Sequence, residues 1–163
     1  RPPARWGGEE GRAHTVIIVP ITALPGAFPK LIESAEAEGF QALTTLARNF
    51  ESGTNRFDRP GEVLLTLWDR EELLGVGGLN RDPYFPNCLV GRLRHLYVLP
   101  SLRSQGLGRS LVEALEARAR GVFPMLQLFT QASRAGALYE ALGYQPVQGE
   151  TKVSHRKALV PQP

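Results

Sequence analysis

The sequence predicts one mixed α/β domain. Two observations carry that expectation: apolar runs of strand length, β-branched or alternating, recur along the chain, and stretches of helical period separate them. A chain of 163 residues is long enough to bury one substantial core. Its 42% hydrophobic and 21% charged residues match a globular average and exclude a disordered or collagen-like chain. Residues 14–160 are expected to form the domain, with 1–13 as a flexible segment.

Each element has its own signal. Residues 15–21, TVIIVPI, are β-branched and close at Leu24-Pro25-Gly26, the mark of a strand. Between Pro29 and Phe50 the residues Leu43, Leu46, Ala47 and Phe50 recur at helical spacing, and Gly39 interrupts the helix or divides it in two. Val63, Leu65 and Leu67 alternate along a strand that turns at Arg70-Glu71-Glu72 into a returning strand over 73–79. Gly75, Gly77 and Gly78 crowd that second strand and mark close approach, by packing or by a ligand. A strand over 90–99 stops at Pro100, and a helix over 109–120 carries Leu111, Val112, Leu115 and Ala119 on one side. On that helix Glu116 and Arg120 are spaced for an exposed ion pair. A short strand at 125–129, a helix at 134–142 closed by Gly143, and strands at 144–147 and 152–159 complete the chain.

Composition removes several functions. The net charge of +3 comes without a dense basic block, so neither nucleic acid nor a membrane surface is an expected partner. No run approaches the 18 or so apolar residues of a membrane span, and the first residues lack the apolar centre of a signal peptide. The single cysteine, Cys88, excludes an internal disulfide and a cysteine-rich metal site, and fits an inert thiol in a reducing, cytoplasmic compartment.

The chemistry concentrates between the strand at 90–99 and the helix that follows. There Arg103, Ser104, Gln105, Gly106, Leu107 and Gly108 form a glycine-containing loop that opens a helix, where unpaired N–H groups can face a pyrophosphate. An ordinary Gly-rich turn would have the same composition. A nucleotide phosphate loop fits worse, because neither G-x-x-x-x-G-K-[ST] nor G-x-G-x-x-G in a β-α-β unit is present. A G-x-S-x-G elbow and recognisable Ser-His-Asp or Cys-His arrangements are also absent.

Residues 96–112, LYVLPSLRSQGLGRSLV, resemble the acetyl-CoA signature of the GNAT superfamily, R/Q-x-x-G-x-G/A between strand and helix, with Arg103, Gly106 and Gly108 at its defining positions. Residues 135–144, AGALYEALGY, resemble that family's second hallmark, a short helix ending L-Y-x-x-x-G-F/Y. The resemblance implies a central, mostly antiparallel sheet of six or seven strands, flanked by helices and splayed to admit the pantetheine arm. It implies acetyl-CoA as cosubstrate, with its pyrophosphate over the amides of residues 103–108, Arg109 and Ser110 at the helix start, and Tyr97 and Val98 touching the acetyl end through their backbone. Tyr139 falls at the position of a tyrosine that protonates the departing thiolate. A Tyr packed on the core with its hydroxyl at the cleft rim is the plain alternative.

The implied reaction is direct attack by a neutral primary amine, through an oxyanion held by a backbone N–H near Val98. His95 is the first candidate base, weighed against a structural histidine on a half-buried strand; Asp82 and Glu38 are weaker ones. Arg92 stands near the place of a catalytic Glu in some members, so that base does not carry over. Ala132 replaces an Asn that often contacts the cofactor, and Ser104 replaces a common Gly, tolerated if its φ is negative. The loops at 55–61 and 80–84 would bracket the acceptor, or merely turn the chain. His155-Arg156-Lys157 reads as a solvated strand face. The acceptor is unidentified, sheet edges in this fold often pair to form a homodimer, and an idle CoA-binding domain of the same fold is the competing function.

Overall fold

β-branched density at Val16, Ile17, Ile18 and Val19 favours extended backbone, and strand β2 covers Ala13–Pro20. The computed structural model describes residues 4–7, 13–87 and 89–159. Of the segment 1–13, residues 4–7 form a short strand β1 (Ala4–Gly7) antiparallel to β2; the other residues of that segment except Ala13 lie outside the described residues, as does Cys88.

The remaining strands are β3 (Val63–Asp69), β4 (Glu72–Arg81), β5 (Val90–Val98), β6 (Met125–Leu128), β7 (Gln145–Pro146) and β8 (His155–Ala158). The helices are α1 (Phe28–Ala37), α2 (Ala42–Ser52), α3 (Leu107–Ala119) and α4 (Ser133–Ala141). Strands β2 to β8 make a seven-stranded sheet, within the six or seven expected, and β1 extends it, in the order β1-β2-β3-β4-β5-β6-β8-β7. All neighbours are antiparallel except β5 and β6, which run parallel. Gly39, at φ +77°, lies between α1 and α2 and divides the helical region.

The two-residue period of β3 sorts its side chains to opposite faces. Val63, Leu65 and Leu67 join Leu111, Val112 and Leu115 of α3 in one core, while Leu64 joins Leu31, Leu43 and Leu46 of α1 and α2 in the other. Leucines this deeply buried contribute roughly 2 kcal/mol each from area removed from water. Covered on both faces, β4 is buried from Leu73 to Asn80.

That burial explains its glycines. A Cβ on Gly75 would lie 2.7 Å from the Tyr97 carbonyl oxygen, one on Gly77 3.1 Å from Leu115, and one on Gly78 2.6 Å from the Phe57 ring. Packing, not a ligand, requires them. Opposite Gly77 the register slips, with Val76 facing Tyr97 and Gly78 facing Arg94, so His95 and Leu96 together oppose one residue. His95 adopts φ +60°, which makes this a β-bulge.

Two expectations about charge are overturned. Glu116 does not form an exposed pair with Arg120: it is buried at 4% exposure and accepts from Lys157 Nζ at 2.9 Å and the Tyr144 hydroxyl at 2.8 Å. The segment 155–157 is likewise not a solvated face. His155 is buried against Glu140 at 3.0 Å, Lys157 reaches Glu116, and Arg156 holds Glu150 at 2.9 Å. Both errors share a cause, the return of β8 beside α3 and α4, where Lys157 meets Glu116 across 41 positions and His155 meets Glu140 across 15.

Candidate active site

Only three rungs join β5 to β6, from Val90↔Met125 to Arg92↔Gln127. Beyond them the bulge at His95 bends β5 and the two strands part. Two cavities flank the opening, of about 610 Å³ and about 520 Å³, and both are lined by Phe40, Leu96, Ala132 and Ala135.

The first cavity lies over the glycine loop and includes Tyr97, Val98, Arg103, Ser104, Gly106, Gly108 and Arg109. Gly106 adopts φ +82° and caps α3 without a side chain; a Cβ there would meet nothing within 4 Å, so the backbone is open to a ligand. Ser110 N–H closes a helical hydrogen bond on the Gly106 carbonyl at 3.0 Å, leaving the Leu107, Gly108 and Arg109 amides without intrahelical partners. Those amides and the positive end of the helix dipole suit a pyrophosphate. The apolar walls Leu96, Ala135, Ala137 and Leu138 suit a pantetheine arm. Residues and cavity fit an acyl-CoA.

Some loop residues serve otherwise than expected. The Arg103 amide donates to the Pro100 carbonyl at 3.3 Å, and its guanidinium is bonded to Glu38. Ser104 has φ +67°, not the negative value expected, so the loop holds a non-glycine residue in the left-handed region. Its hydroxyl accepts from Arg134 Nη2 at 3.1 Å. Gln105 is exposed in the loop, and the Ser110 hydroxyl turns back onto the Gly106 carbonyl at 3.0 Å. The Tyr97 hydroxyl bonds Ser34 and Glu38 at 2.8 and 2.7 Å.

The second cavity holds both residues expected to act on protons. Tyr139 lines it with a buried ring, edge-on to Tyr144 at 5.4 Å. Burial pushes its pKa well above the phenol range, so the hydroxyl stays protonated at any working pH. His95 lines the same cavity, edge-on to Phe57 at 6.1 Å, and its buried Nδ1 has no hydrogen-bond partner among the described residues. Burial first, then the charge of Arg94, push its pKa down to about 4. The ring is therefore neutral near pH 7, a weak acceptor of protons.

The weaker base candidates are not placed to act. Asp82 is buried beneath the cavity, in contact with Arg92 Nε at 2.9 Å and Gln127 Nε2 at 3.3 Å, and accepts from the Tyr84 N–H at 2.9 Å. Glu38 lines the first cavity, where the Arg103 hydrogen bond holds its carboxyl below the usual range. Asn55 of the first loop and Asn80, which lies in β4 rather than in a loop, bond each other's side chains at 2.9 and 3.0 Å, which anchors that loop to the sheet.

Sequence reasoning missed Arg134, Arg94, Phe40 and Lys152 as lining residues. The first had a signal in its place two residues after Ala132, in the opening turn of α4. Arg94 had one in the alternation of Arg92 and Arg94, which sets both on one face of β5. Phe40 and Lys152 come from distant loops, and no local pattern marks them.

Comparison with known proteins agrees with this geometry. A 66-residue stretch, 39% of this chain, is 42% identical to an aminoglycoside N(6')-acetyltransferase type 1 of Klebsiella aerogenes, and the match spans 43% of that protein. A crystal structure assigned as an acetyltransferase, from Exiguobacterium sp. 255-15, superposes with a TM-score of 0.78 at 29% identity, covering 88% of this chain and 93% of the other. YncA of Salmonella typhimurium, solved with its cofactor acetyl-CoA, shares the fold at a TM-score of 0.61 and 14% identity, over 89% of this chain and 95% of its own. Among the described residues no helix is long and apolar enough to cross a membrane. Residues 60–146, more than half the chain and the part that builds the splayed strands and the glycine loop, match the Acetyltransferase (GNAT) domain, so this chain belongs to the GNAT family, whose acyl donor is acetyl-CoA.

Proposed function

We propose that the chain transfers the acetyl group of acetyl-CoA to a primary amine by direct attack within a ternary complex. The observation that carries this reading is the meeting of the two cavities across the gap between β5 and β6, with Tyr139 on the second and the open amides of α3 on the first. Acetyl-CoA supplies an activated thioester, whose C–S bond is replaced by a C–N bond to the amine. Leu107, Gly108 and Arg109 offer amides to the pyrophosphate, with Arg134 beside them. Val98, at the end of β5, offers its backbone to the developing oxyanion. Tyr139 gives its phenolic proton to the departing sulfur and regains one from the amine through solvent. With His95 neutral and weakly basic, deprotonation of the amine falls to a water relay rather than to a strong side-chain base.

The test is a stoichiometric one. Thiol release from acetyl-CoA should require an added amine, and mass spectrometry should find that amine heavier by one acetyl group. Acetyl-CoA binding without turnover across a broad amine panel would instead assign the chain to the idle CoA-binding domains of this fold.

A further inference from the structure

The second cavity is cationic. Arg92, Arg94 and Lys152 line it, and among the described lining residues there is no Asp or Glu. These charges are not equivalent. Arg92 is neutralised from beneath by Asp82 at 2.9 Å and donates to the Lys152 carbonyl at 2.8 Å. Lys152 Nζ sits 4.9 Å from the centre of the Tyr84 ring, whose other neighbour is the Arg92 guanidinium, also at 4.9 Å.

Arg94 has no carboxylate in contact with it among the described residues; Asp82 and Glu62 act on it only from a distance. Its one hydrogen bond among the described residues is a 3.5 Å contact with Asn80 Oδ1, an oxygen already accepting from Asn55 at 2.9 Å. Burial pulls its pKa down and the adjacent Arg92 charge adds to that, against the opposing pull of Tyr84, Asp82 and Glu62 at longer range. A half-buried guanidinium with no carboxylate in contact is costly to retain. Its fork of donors suits a bidentate anion.

Resting on the acetyltransferase reading, we infer that the acceptor is a small amine that carries an anionic group, carboxylate or phosphate, seated on Arg94 in the second cavity. The cavity repels a polycation such as an aminoglycoside and requires a countercharge to draw in an ammonium. Phe40, Tyr84 and Phe129 supply apolar walls for the body of such a molecule.

Matched acceptors isolate the anionic group. Acetylation of phenylalanine against phenylethylamine, and of glucosamine 6-phosphate against glucosamine, is measured by thiol release, with kanamycin and spermidine as polycations. At least one anionic member should exceed its neutralised twin by ten-fold or more in kcat/KM and exceed both polycations; which pair responds tells carboxylate from phosphate. Arg94→Gln should raise KM for that acceptor roughly ten-fold, leave KM for acetyl-CoA unchanged, and be partly rescued by Arg94→Lys. Thermal unfolding confirms that each variant is folded.

Faster turnover of the polycations or of the twins lacking the anion would overturn the inference and leave the acetyltransferase reading standing. So would unchanged acceptor KM in a folded Arg94→Gln protein. Absence of turnover with every amine would overturn both.

Discussion

The Arg103 guanidinium grips the Glu38 carboxylate through two contacts of 2.7 Å, tying the end of α1 to the loop before α3 across the first cavity. The same arginine donates from Nε to the Val98 carbonyl at 3.1 Å, so the pair also braces the end of β5. At 25% and 34% side-chain exposure, solvent screens it strongly. Glu38→Gln should lower stability at pH 7 by less than about 1 kcal/mol. Because Arg103 lowers the Glu38 pKa, the contribution is complete above the ordinary value of 4.5 and is lost as pH falls through the lower folded value. Urea unfolding of wild type and variant should therefore differ at pH 7 and converge as the solution is acidified below the folded value.

Tyr139→Phe removes the proton donor of the second cavity and keeps the ring that packs on Tyr144. Steady-state kinetics should show kcat reduced by roughly a hundred-fold with acetyl-CoA affinity unchanged. Because burial raises the tyrosine's pKa, its deprotonation should not appear in the wild-type rate profile below about pH 10. An unchanged kcat would return Tyr139 to a packing role.

His95 folds neutral and charges when unfolded. Its pKa falls from 6.5 to about 4 on folding, so between those values the unfolded chain binds more protons and stability drops as the solution is acidified. The full loss, on the order of 3 kcal/mol, is reached below pH 4. His95→Asn, chosen because Asn tolerates the left-handed backbone of the bulge, should remove that part of the pH dependence. Denaturant titrations at pH 7 and pH 4.5 measure the difference.

The parts legible in the sequence were those written in local periods and loop chemistry. Helix α3 was fixed by its Leu111, Val112 and Leu115 spacing, and the loop ahead of it by Gly106 and Gly108. What local reading could not supply came from residues far apart in the chain. Glu116 meets Lys157 across 41 positions and Arg92 meets Asp82 through the turn between β4 and β5, so a charge that looked solvated and a carboxylate that looked available are both buried. The cationic cavity was hidden for a related reason, since Arg94 and Lys152 converge only once β5 has parted from β6. Left-handed backbone at Ser104 and His95 left no trace in residue type, as neither is glycine.

Ala132 occupies the N-cap of α4 in extended geometry, φ −81° and ψ 120°, with no side-chain hydrogen bond to the helix, and it lines both cavities. Ala132→Asn supplies the missing acceptor for a first-turn amide and should raise stability by about 1 kcal/mol. The same amide side chain faces the site proposed for the pantetheine arm and should tighten acetyl-CoA several-fold. Unfolding curves and calorimetry measure the two effects separately.

The central claim, that acetyl-CoA lies on the open amides at the start of α3, is met most directly by calorimetric titration of acetyl-CoA into the wild-type chain and Gly106→Glu. Gly106 has an unobstructed Cβ position facing the first cavity, so a glutamate there sets a side chain and a negative charge against the pyrophosphate. Single-site binding by the wild type, weakened ten-fold or more in a variant that remains folded, is the predicted result. No binding by the wild type, or equal binding by both, would contradict it.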